Sequence, residues 1–383
     1  MKRYAMKARF TAALVLAAGF GLLLAAINWT STPAAAGQPP IASGYKVLEP
    51  ITQGNLTIFP VVAASAHDTR GFLTLDEGLR SGQVEVTEAG RVRPLVRRGG
   101  TAYRPISDQV NSLVLVNNSD QPLILLAGEI VTGGKQDRVV GKDRIIPAHS
   151  DPVDLGVFCV EPGRWVARGG ASGGSAGGVK FDAAAAPMAQ PSVRKRAMSD
   201  KDQQQVWNEV AKSRQGMADA VASGSGGEVA RAEIESSTSY ARAADNRAVK
   251  RQVDAVVVPL ERSYQGLIRE LRARNAVGVV AAVNGEIVWA DLFASPQLLE
   301  KYWPKLVRSY AAEALTTRPE RGRPTVYAAQ AFLDDLSGTR EVVESEPGVF
   351  RHTEVVGRGF RVFELASLLP RTGFDVHISK MTE

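Results

Sequence analysis

The sequence predicts an α+β protein with an N-terminal antiparallel β-sandwich-like module, a Gly/Ser-rich loop, and then helices packed on a second antiparallel sheet. Short apolar runs separated by turn residues fill 45–167, which is typical of strands. The segment 168–179 reads RGGASGGSAGGV and has too few apolar side chains to form a packed element. Helical spacing of apolar residues follows, and alternating strand patterns return after residue 340. This order of elements defines the predicted α+β architecture.

Turn residues divide the β-rich module into its strands. The runs 112–116 (SLVLV) and 122–127 (PLILLA) flank Asn, Asn, Ser and Asp at 117–120, which predicts a hairpin. The segments 143–147 and 153–160 add two more strands rich in β-branched residues. Together these strands predict a sandwich or jelly-roll-like module.

The Gly/Ser-rich segment is expected to begin a flexible linker over 168–199, because its composition cannot offset the entropy of ordering. Beyond it, 200–383 should form the α+β part and pack with 45–167 as one domain. Helices are predicted at 202–222 and, from apolar spacing of three or four residues, at 249–271, where Pro259 should kink or split the helix.

The C-terminal part contains clear local start and turn motifs. Asn284-Gly285 between two apolar runs predicts a two-residue hairpin. Ser295-Pro296 predicts a capped helix start, and Pro304 should divide that segment before a helix ending near Leu315. A further helix at 325–336 and four alternating strands complete the prediction. The strands are expected at 340–345, 349–356, 360–365 and 374–379.

The first 36 residues have the three parts of a secretory signal peptide: a basic start, an apolar run at 11–27 and the small residues Ala34-Ala35-Ala36. The run is about 17 residues, the short limit for crossing a bilayer of about 30 Å, so an uncleaved anchor is the alternative. The predicted location is periplasmic or secreted, or tethered to the inner membrane by this segment. Membrane contact is expected only through it.

The charge of the chain changes once this segment is removed. The whole sequence carries 46 basic and 40 acidic side chains, but Lys2, Arg3, Lys7 and Arg9 belong to the export segment, which has no acidic residue. The remainder has 42 basic and 40 acidic groups, a net charge of +2. A nearly neutral chain lacks the positive field that drives nucleic-acid binding, so nucleic acid is excluded as the expected partner.

Polar residues able to bind or transform a ligand concentrate between Gly128 and Trp165. The predicted ligand-binding residues are Lys135, Gln136, Arg138, Arg164 and Trp165, and the candidate catalytic residues are Glu129, Cys159 and Glu161. Lysine and arginine bind anions, glutamine directs hydrogen bonds, tryptophan stacks on rings, and glutamate transfers protons. The structural alternative is a solvated strand face and an internal Glu161–Arg164 salt bridge.

Other catalytic and metal patterns are missing from the sequence. Cys159 shares an apolar strand row with Val157, which favours a buried thiol over a nucleophile, and a single cysteine forms no intramolecular disulfide. The four histidines show no metal-ligand spacing, and no G-x-S-x-G, phosphate loop or dinucleotide fingerprint occurs. No metal and no cofactor are therefore expected.

Three motifs lie in this region: Gly128-Glu129, Lys135-Gln136-x-Arg138 and the 159–165 segment CVEPGRW. They resemble those of a known family, the ARG and rhodanese-phosphatase-superfamily-associated domain, with weaker similarity at Val206-Trp207, 277–293 and 302–304. The resemblance covers about 45–315. It implies an uncharacterised domain associated with ADP-ribosylglycohydrolases and with rhodanese or phosphatase-type proteins. The export segment is at odds with a role in intracellular ADP-ribose metabolism.

These observations predict an exported bacterial envelope protein that binds a small anionic or ring-bearing ligand, such as an ADP-ribose-like molecule, between Gly128 and Trp165. One alternative is a hydrolase or transferase in which Glu129 or Glu161 is the acid or base. The other is a structural or partner-binding envelope protein.

Overall fold

The computed structural model of the chain describes residues 44–89, 111–164, 188–222, 226–271, 275–317, 322–335 and 337–383. Ser43–Glu383 forms one compact unit. The predicted export segment, Trp165 and the linker residues 168–187 lie outside the described residues. In the described ranges, no helix has both the length and the apolar character needed to cross a membrane.

The described residues confirm the predicted α+β class. In chain order the strands are β1 (Tyr45–Val47), β2 (Ile51–Gln53), β3 (Leu56–Ala63), β4 (Leu73–Thr74), β5 (Val84–Glu88), β6 (Ser112–Asn117), β7 (Leu123–Leu125), β8 (Ile130–Val131), β9 (Arg138–Val140), β10 (Arg144–Ile146), β11 (Val153–Cys159), β12 (Ala276–Val283), β13 (Glu286–Phe293), β14 (Gly338–Glu346), β15 (Phe350–Gly357), β16 (Phe360–Ser367) and β17 (Asp375–Thr382). The helices are α1 (Leu75–Arg80), α2 (Pro191–Lys195), α3 (Gln203–Ala222), α4 (Gly227–Glu235), α5 (Tyr240–Asp245), α6 (Arg247–Leu271), α7 (Pro296–Thr316) and α8 (Val326–Asp334).

One large antiparallel sheet organises the molecule. Its order is β1-β3-β12-β13-β17-β16-β15-β14, and β2 pairs with β3. The first three strands therefore belong to the later sheet and not to a separate N-terminal module. The reason lies in β3, whose residues are buried almost throughout, so that it needs paired neighbours on both edges.

Two smaller sheets form the rest of the β-rich region. The three-stranded sheet has the order β10-β7-β4, and the five-stranded sheet has the order β5-β6-β11-β9-β8. The predicted hairpin of β6 with β7 is wrong, because the two strands lie in different sheets. Asn117 exchanges hydrogen bonds with Ser150, and its side chain also donates to the carbonyls of Gln121 and Pro147. The turn thus joins a distant loop and does not close a two-stranded ribbon.

The last part of the predicted linker is helical. Pro191 opens α2, which continues as a π-helical turn over Arg196–Asp200. Met188 and Val193 are buried in the main core. The prediction of a flexible segment is therefore wrong for 188–199, because these apolar side chains find a core that is formed by distant parts of the chain.

Several local predictions in the C-terminal part are confirmed. Asn284 and Gly285 both have positive φ, 56° and 87°, as a tight turn between β12 and β13 requires. The Ser295 hydroxyl accepts the Leu298 N–H at 3.1 Å and caps α7. The prediction that Pro304 divides this helix is wrong, because α7 runs through it.

The helix α6 is likewise unbroken at Pro259. The two long helices α6 and α7 pack against each other, and α7 also packs on β12 and β3 of the large sheet. Tertiary packing on both sides of these helices compensates for the proline in each. The result is a seam between α6 and α7 at which both cavities described below are found.

Candidate functional site

The residues predicted as one constellation do partly converge. The Gln136 Nε2 donates to the backbone carbonyl of Glu161 at 3.1 Å, and Arg164 donates to the Glu161 Oε2 at 2.6 Å. The Asp137 N–H donates to the same carboxylate oxygen at 3.1 Å. Arg164 also donates to the carbonyl of Gly134 at 3.2 Å. These groups therefore tie the end of β11 to the loop before β9.

Arg138 and Cys159 lie opposite each other on the paired strands β9 and β11, and both are fully buried. Burial lowers the pKa of the Arg138 guanidinium and raises the pKa of the Cys159 thiol. A thiol with a raised pKa is a poor nucleophile, so this position acts as a buried apolar residue. The backbone of Lys135 donates to the Glu88 carboxylate at 2.8 Å.

Glu129 has a different set of partners. Its Oε2 accepts the Leu126 N–H at 2.9 Å, and its Oε1 accepts a hydrogen bond from Lys305 at 3.2 Å. Lys305 also donates to Asp76 at 2.6 Å. The carboxyl group of Glu129 is fully buried, and this burial is the main reason that its pKa rises to about 6. Glu129 and Glu161 therefore do not share one set of hydrogen-bonding partners.

Lys305 stays protonated in this setting. Burial opposes its charge, but the carboxylates of Glu129 and Asp76 outweigh that effect and raise the pKa of Lys305. A protonated amine donates hydrogen bonds and does not attack a carbonyl group. Lys305 is consequently a cation held between the carboxylates of Asp76 and Glu129.

A fully buried charged network, the core network, lies next to this group. Asp291 on β13 accepts two hydrogen bonds from Arg194 of α2, at 2.9 and 3.0 Å, and one from the hydroxyl of Tyr310. His377 of β17 lies between the two carboxylates, with its Nε2 3.1 Å from Asp291 and its Nδ1 2.5 Å from Asp143. The five side chains join α2, α7, β13, β17 and the residue before β10.

The protonation of the core network follows from its geometry. Burial disfavours the charged form of His377, but the carboxylates of Asp143 and Asp291 outweigh this effect and raise the pKa of His377 to about 9. Arg194 and His377 hold the pKa of Asp291 well below its usual range. The network thus contains two cations and two carboxylates, and its charges compensate one another inside the protein.

The turn 126–129 connects the two charged groups. Asp143 accepts the Ala127 N–H at 2.7 Å, and Glu129 accepts the Leu126 N–H. Gly128 between them has a φ of 93°, and a Cβ placed there would lie 2.5 Å from the Cγ of Arg194. Glycine is therefore needed at position 128, because a residue with a Cβ would not let the backbone approach Arg194 this closely. Glu129, the next residue, makes the contact with Lys305.

The first cavity along the helix seam is a cleft of about 980 Å³, here called the aromatic cleft. Its floor includes Tyr264, Leu299 and Trp303, and the rings of Tyr264 and Trp303 stack with centroids 4.1 Å apart. Its polar rim includes His67, Glu261, Gln265, Gln297 and Glu300. An apolar floor with a polar rim is the usual construction of a small-molecule site.

Two features of the aromatic cleft are unusual for packing alone. The Tyr264 hydroxyl and the Trp303 Nε1 are buried and, within the described ranges, have no hydrogen-bond partner in the protein. A buried polar group without a hydrogen-bond partner lowers the free energy of unfolding by about 1–3 kcal/mol. Pro304 also removes the helical donor to the Glu300 carbonyl, which leaves an acceptor without its intrahelical partner at the cleft.

The second cavity, here called the Lys305 cavity, has a volume of about 460 Å³. Its apolar wall includes Met188, Met217, Val249 and Val253, and its charged side chains are Asp76, Lys250, Asp254, Lys305 and Arg308. Pro304 borders both cavities. In the part of the chain that the structure describes, no group of three or more His, Cys, Asp or Glu side chains is placed to hold a metal ion.

Sequence reasoning missed most of these residues. The core network could have been suspected from Asp291, an acidic residue inside the apolar strand EIVWADLF, and from His377 in an alternating strand. No local pattern marks Lys305 or Tyr264, since both have ordinary positions in amphipathic helices.

The fold and site define an α+β domain with a mutually compensated core network and with two cavities, the aromatic cleft and the Lys305 cavity, along the pair of helices α6 and α7. A family model, that of the ARG and Rhodanese-Phosphatase-superfamily-associated Protein domain (ARPP-1), matches residues 44–379. The chain belongs to this family, as the resemblance predicted, and the match extends to the C-terminal strands. Comparison with curated proteins gives no match, and comparison with solved structures gives none either.

Proposed function

We propose that the protein is an exported domain of the bacterial cell envelope that binds a small ring-bearing, hydroxylated ligand in the aromatic cleft. Support for the ligand class comes from the cleft itself. Stacked aromatic rings line its floor, and carboxylate and amide groups line its rim. Ring faces of a sugar or a nucleoside pack on apolar floors, while their hydroxyl groups donate to such acceptors.

The charge of the rim favours hydroxyl groups over an anionic group. Among the described lining residues, Asp68, Glu261 and Glu300 are carboxylates, and the guanidinium of Arg70 donates two hydrogen bonds to Asp68. Carboxylates thus outnumber the arginine at the rim, which disfavours an anion there and favours a ligand whose hydroxyl groups donate hydrogen bonds.

The predicted constellation supports the proposal less well. Arg164, Glu161 and Gln136 bind one another and neighbouring backbone groups. That arrangement favours the structural interpretation of these residues, in which Glu161 and Arg164 form an internal salt bridge.

A titration with defined sugars tests the ligand proposal. We expect neutral mono- and disaccharides or a nucleoside to raise the unfolding midpoint of the purified 37–383 chain, because a ligand that binds only the folded state stabilises it. Replacing Glu300→Gln on the exposed rim should weaken binding roughly 10-fold or more, the effect of one hydrogen bond to a charged group. Calorimetric titration measures this change.

Lys135→Ala serves as the matched control, since Lys135 belongs to the predicted constellation and does not line the aromatic cleft. Binding that is lost in Lys135→Ala and kept in Glu300→Gln would overturn the location. A panel of sugars, nucleosides, sugar phosphates and ADP-ribose without any shift would overturn the ligand class.

The export part of the proposal rests on the first 36 residues of the sequence, which precede the family match at 44–379. Cleavage after Ala36 should give a periplasmic protein that begins at Gly37, as intact-mass measurement of cell fractions would show. Recovery of the full-length mass from membranes would replace cleavage by anchoring. Recovery of the full-length mass from the cytoplasm would remove the export proposal.

One observation favours the enzyme alternative, a hydrolase or transferase. Burial raises the pKa of the Glu129 carboxyl to about 6, and this carboxyl accepts a hydrogen bond from Lys305, which lines the Lys305 cavity, so a group that can exchange a proton lies one side chain away from that cavity. Glu161, by contrast, is held by Arg164 and by the Asp137 backbone. If turnover of an ester or glycoside substrate is found, Glu129→Gln should lower it about 10²- to 10⁴-fold and Glu161→Gln should not.

A further inference from the structure

We propose that the Lys305 cavity is a second binding site, and that its ligand is a zwitterionic amino acid or dipeptide with an apolar side chain. Nothing in this proposal rests on the aromatic cleft. The cavity lies on the other side of Pro304 and is lined by the N-terminal half of α6, whereas Tyr264 and Gln265 of its C-terminal half line the cleft. The volume of about 460 Å³ is within the range of small-ligand sites.

The apolar wall defines one end of the ligand. Met188 and Met217 come from the segment before α2 and from α3, and Val249 and Val253 come from the first turns of α6. All four are buried residues that line the cavity, and Val253 has the most accessible surface of the four, at 7%. Methionine adapts its shape to irregular apolar groups, so this wall suits a branched or thioether side chain.

The charged residues define the other end. Lys305 is 2.6 Å from Asp76, and Arg308 is 2.7 Å from Asp254. The third cation, Lys250, forms an ion pair with Asp245, so each of the three is next to a carboxylate. The Arg308–Asp254 pair is about half exposed, with 40% and 44% of the two side chains accessible. Such a pair is weak and exchanges partners readily.

A zwitterion fits this pairing better than an ion of one sign. Its carboxylate can take the guanidinium of Arg308 while its ammonium group takes the carboxylate of Asp254, so that every charge keeps a counter-charge. A fatty acid or an alkyl amine would separate the pair and leave one of its members without a partner. The positive and negative side chains of the cavity, together with its apolar wall, therefore favour an amino acid as the ligand.

Lys305 closes the site and helps to fix its polarity. Its ammonium group forms ion pairs with Asp76 and with the buried Glu129, and these two contacts keep the side chain in place. Side-chain exposure of Lys305 is 12%. The ligand carboxylate is expected to lie toward Arg308, because the charge of Lys305 is already compensated by Asp76 and Glu129 and Lys250 is paired with Asp245.

Calorimetric titration of the folded 37–383 chain with L-leucine, L-methionine and leucyl-leucine tests the site. We expect at least one of them to bind, and we expect three analogues to bind at least 10-fold more weakly. The analogues are 4-methylpentanoate, which lacks the ammonium group, isoamylamine, which lacks the carboxylate, and glycine, which lacks the apolar side chain. Equal binding of 4-methylpentanoate or of glycine would overturn the proposal, as would absence of binding by all three amino-acid probes.

Variants place the binding in this cavity. Arg308→Gln and Asp254→Asn should each weaken leucine binding about 10-fold or more, and Ala244→Leu, at a half-buried lining position, should block it by filling the space. Gln297→Ala in the aromatic cleft is the matched control and should leave leucine binding unchanged. If the circular dichroism of one of these three variants differs from that of the parent, that variant is left out and the other two test the location. Unchanged affinity in Arg308→Gln and Asp254→Asn would overturn the assignment.

Discussion

The core network and the seam between α6 and α7 use the same kinds of side chain in opposite ways. In the core network every charged group has a compensating partner, and Asp143, Asp291 and His377 have no exposed side-chain surface. Along the seam, polar atoms of Tyr264 and Trp303 lack protein partners in the described ranges, and charged side chains face open space. The first region holds elements together, whereas the second has hydrogen-bonding capacity that the fold does not use.

The largest expected effect comes from breaking the core network. His377→Asn leaves two buried carboxylates beside a single arginine, so we expect the free energy of unfolding to fall by about 3–5 kcal/mol. Because the pKa of His377 is raised from 6.5 to about 9, its contribution is fully present below pH 6.5 and is lost as the pH rises through 9. Urea unfolding from pH 6 to 9.5 measures both effects.

His352→Asn is the matched control for this experiment. His352 is also buried, but both of its ring nitrogens lack hydrogen-bond partners within the described part of the chain, and burial lowers its pKa. His352→Asn therefore removes no ion pair, and it should lower the free energy of unfolding less than His377→Asn does. Equal losses in the two variants would mean that volume, and not charge, explains the effect at His377.

A smaller effect is expected at Glu129, where the core network and the seam meet. Burial raises the pKa of this carboxyl from 4.5 to about 6, so its contribution to stability is present below pH 4.5 and is lost as the pH rises through 6. Relative to Glu129→Gln, the parent should lose on the order of 2 kcal/mol across that window. Stability curves of parent and variant that stay parallel from pH 4 to 7 would contradict the pKa shift.

Local rules predicted the parts of the fold that depend on neighbours in sequence. The Asn284-Gly285 turn and the Ser295 cap follow from backbone conformation and one hydrogen bond, and both are present. The β6–β7 hairpin failed because β6 pairs with β5 and β11, whereas β7 pairs with β4 and β10. Strand pairing of that kind depends on contacts that no short window contains.

The candidate site was predicted less well for the same reason. The Glu161–Arg164 pair, three residues apart, was foreseen as a structural alternative. Glu129 and Lys305 are 176 residues apart, and His377 and Asp143 are 234 residues apart. Residue types at such separations identify candidates but not their partners, so the chemistry of Glu129 became visible only in the folded chain.

The smallest expected effect, Tyr264→Phe, has the opposite sign. The change keeps the ring stacked on Trp303 and removes a buried hydroxyl that has no protein partner in the described ranges, so we expect the free energy of unfolding to rise by about 1 kcal/mol. Tyr310→Phe is the control from the core network, where the hydroxyl donates to Asp291, and it should lower stability. Chemical denaturation of both variants compares the two regions directly. If Tyr264→Phe also lowers the free energy of unfolding, the Tyr264 hydroxyl contributes to the stability of the fold. The proposed contrast between the seam and the core network would then be wrong.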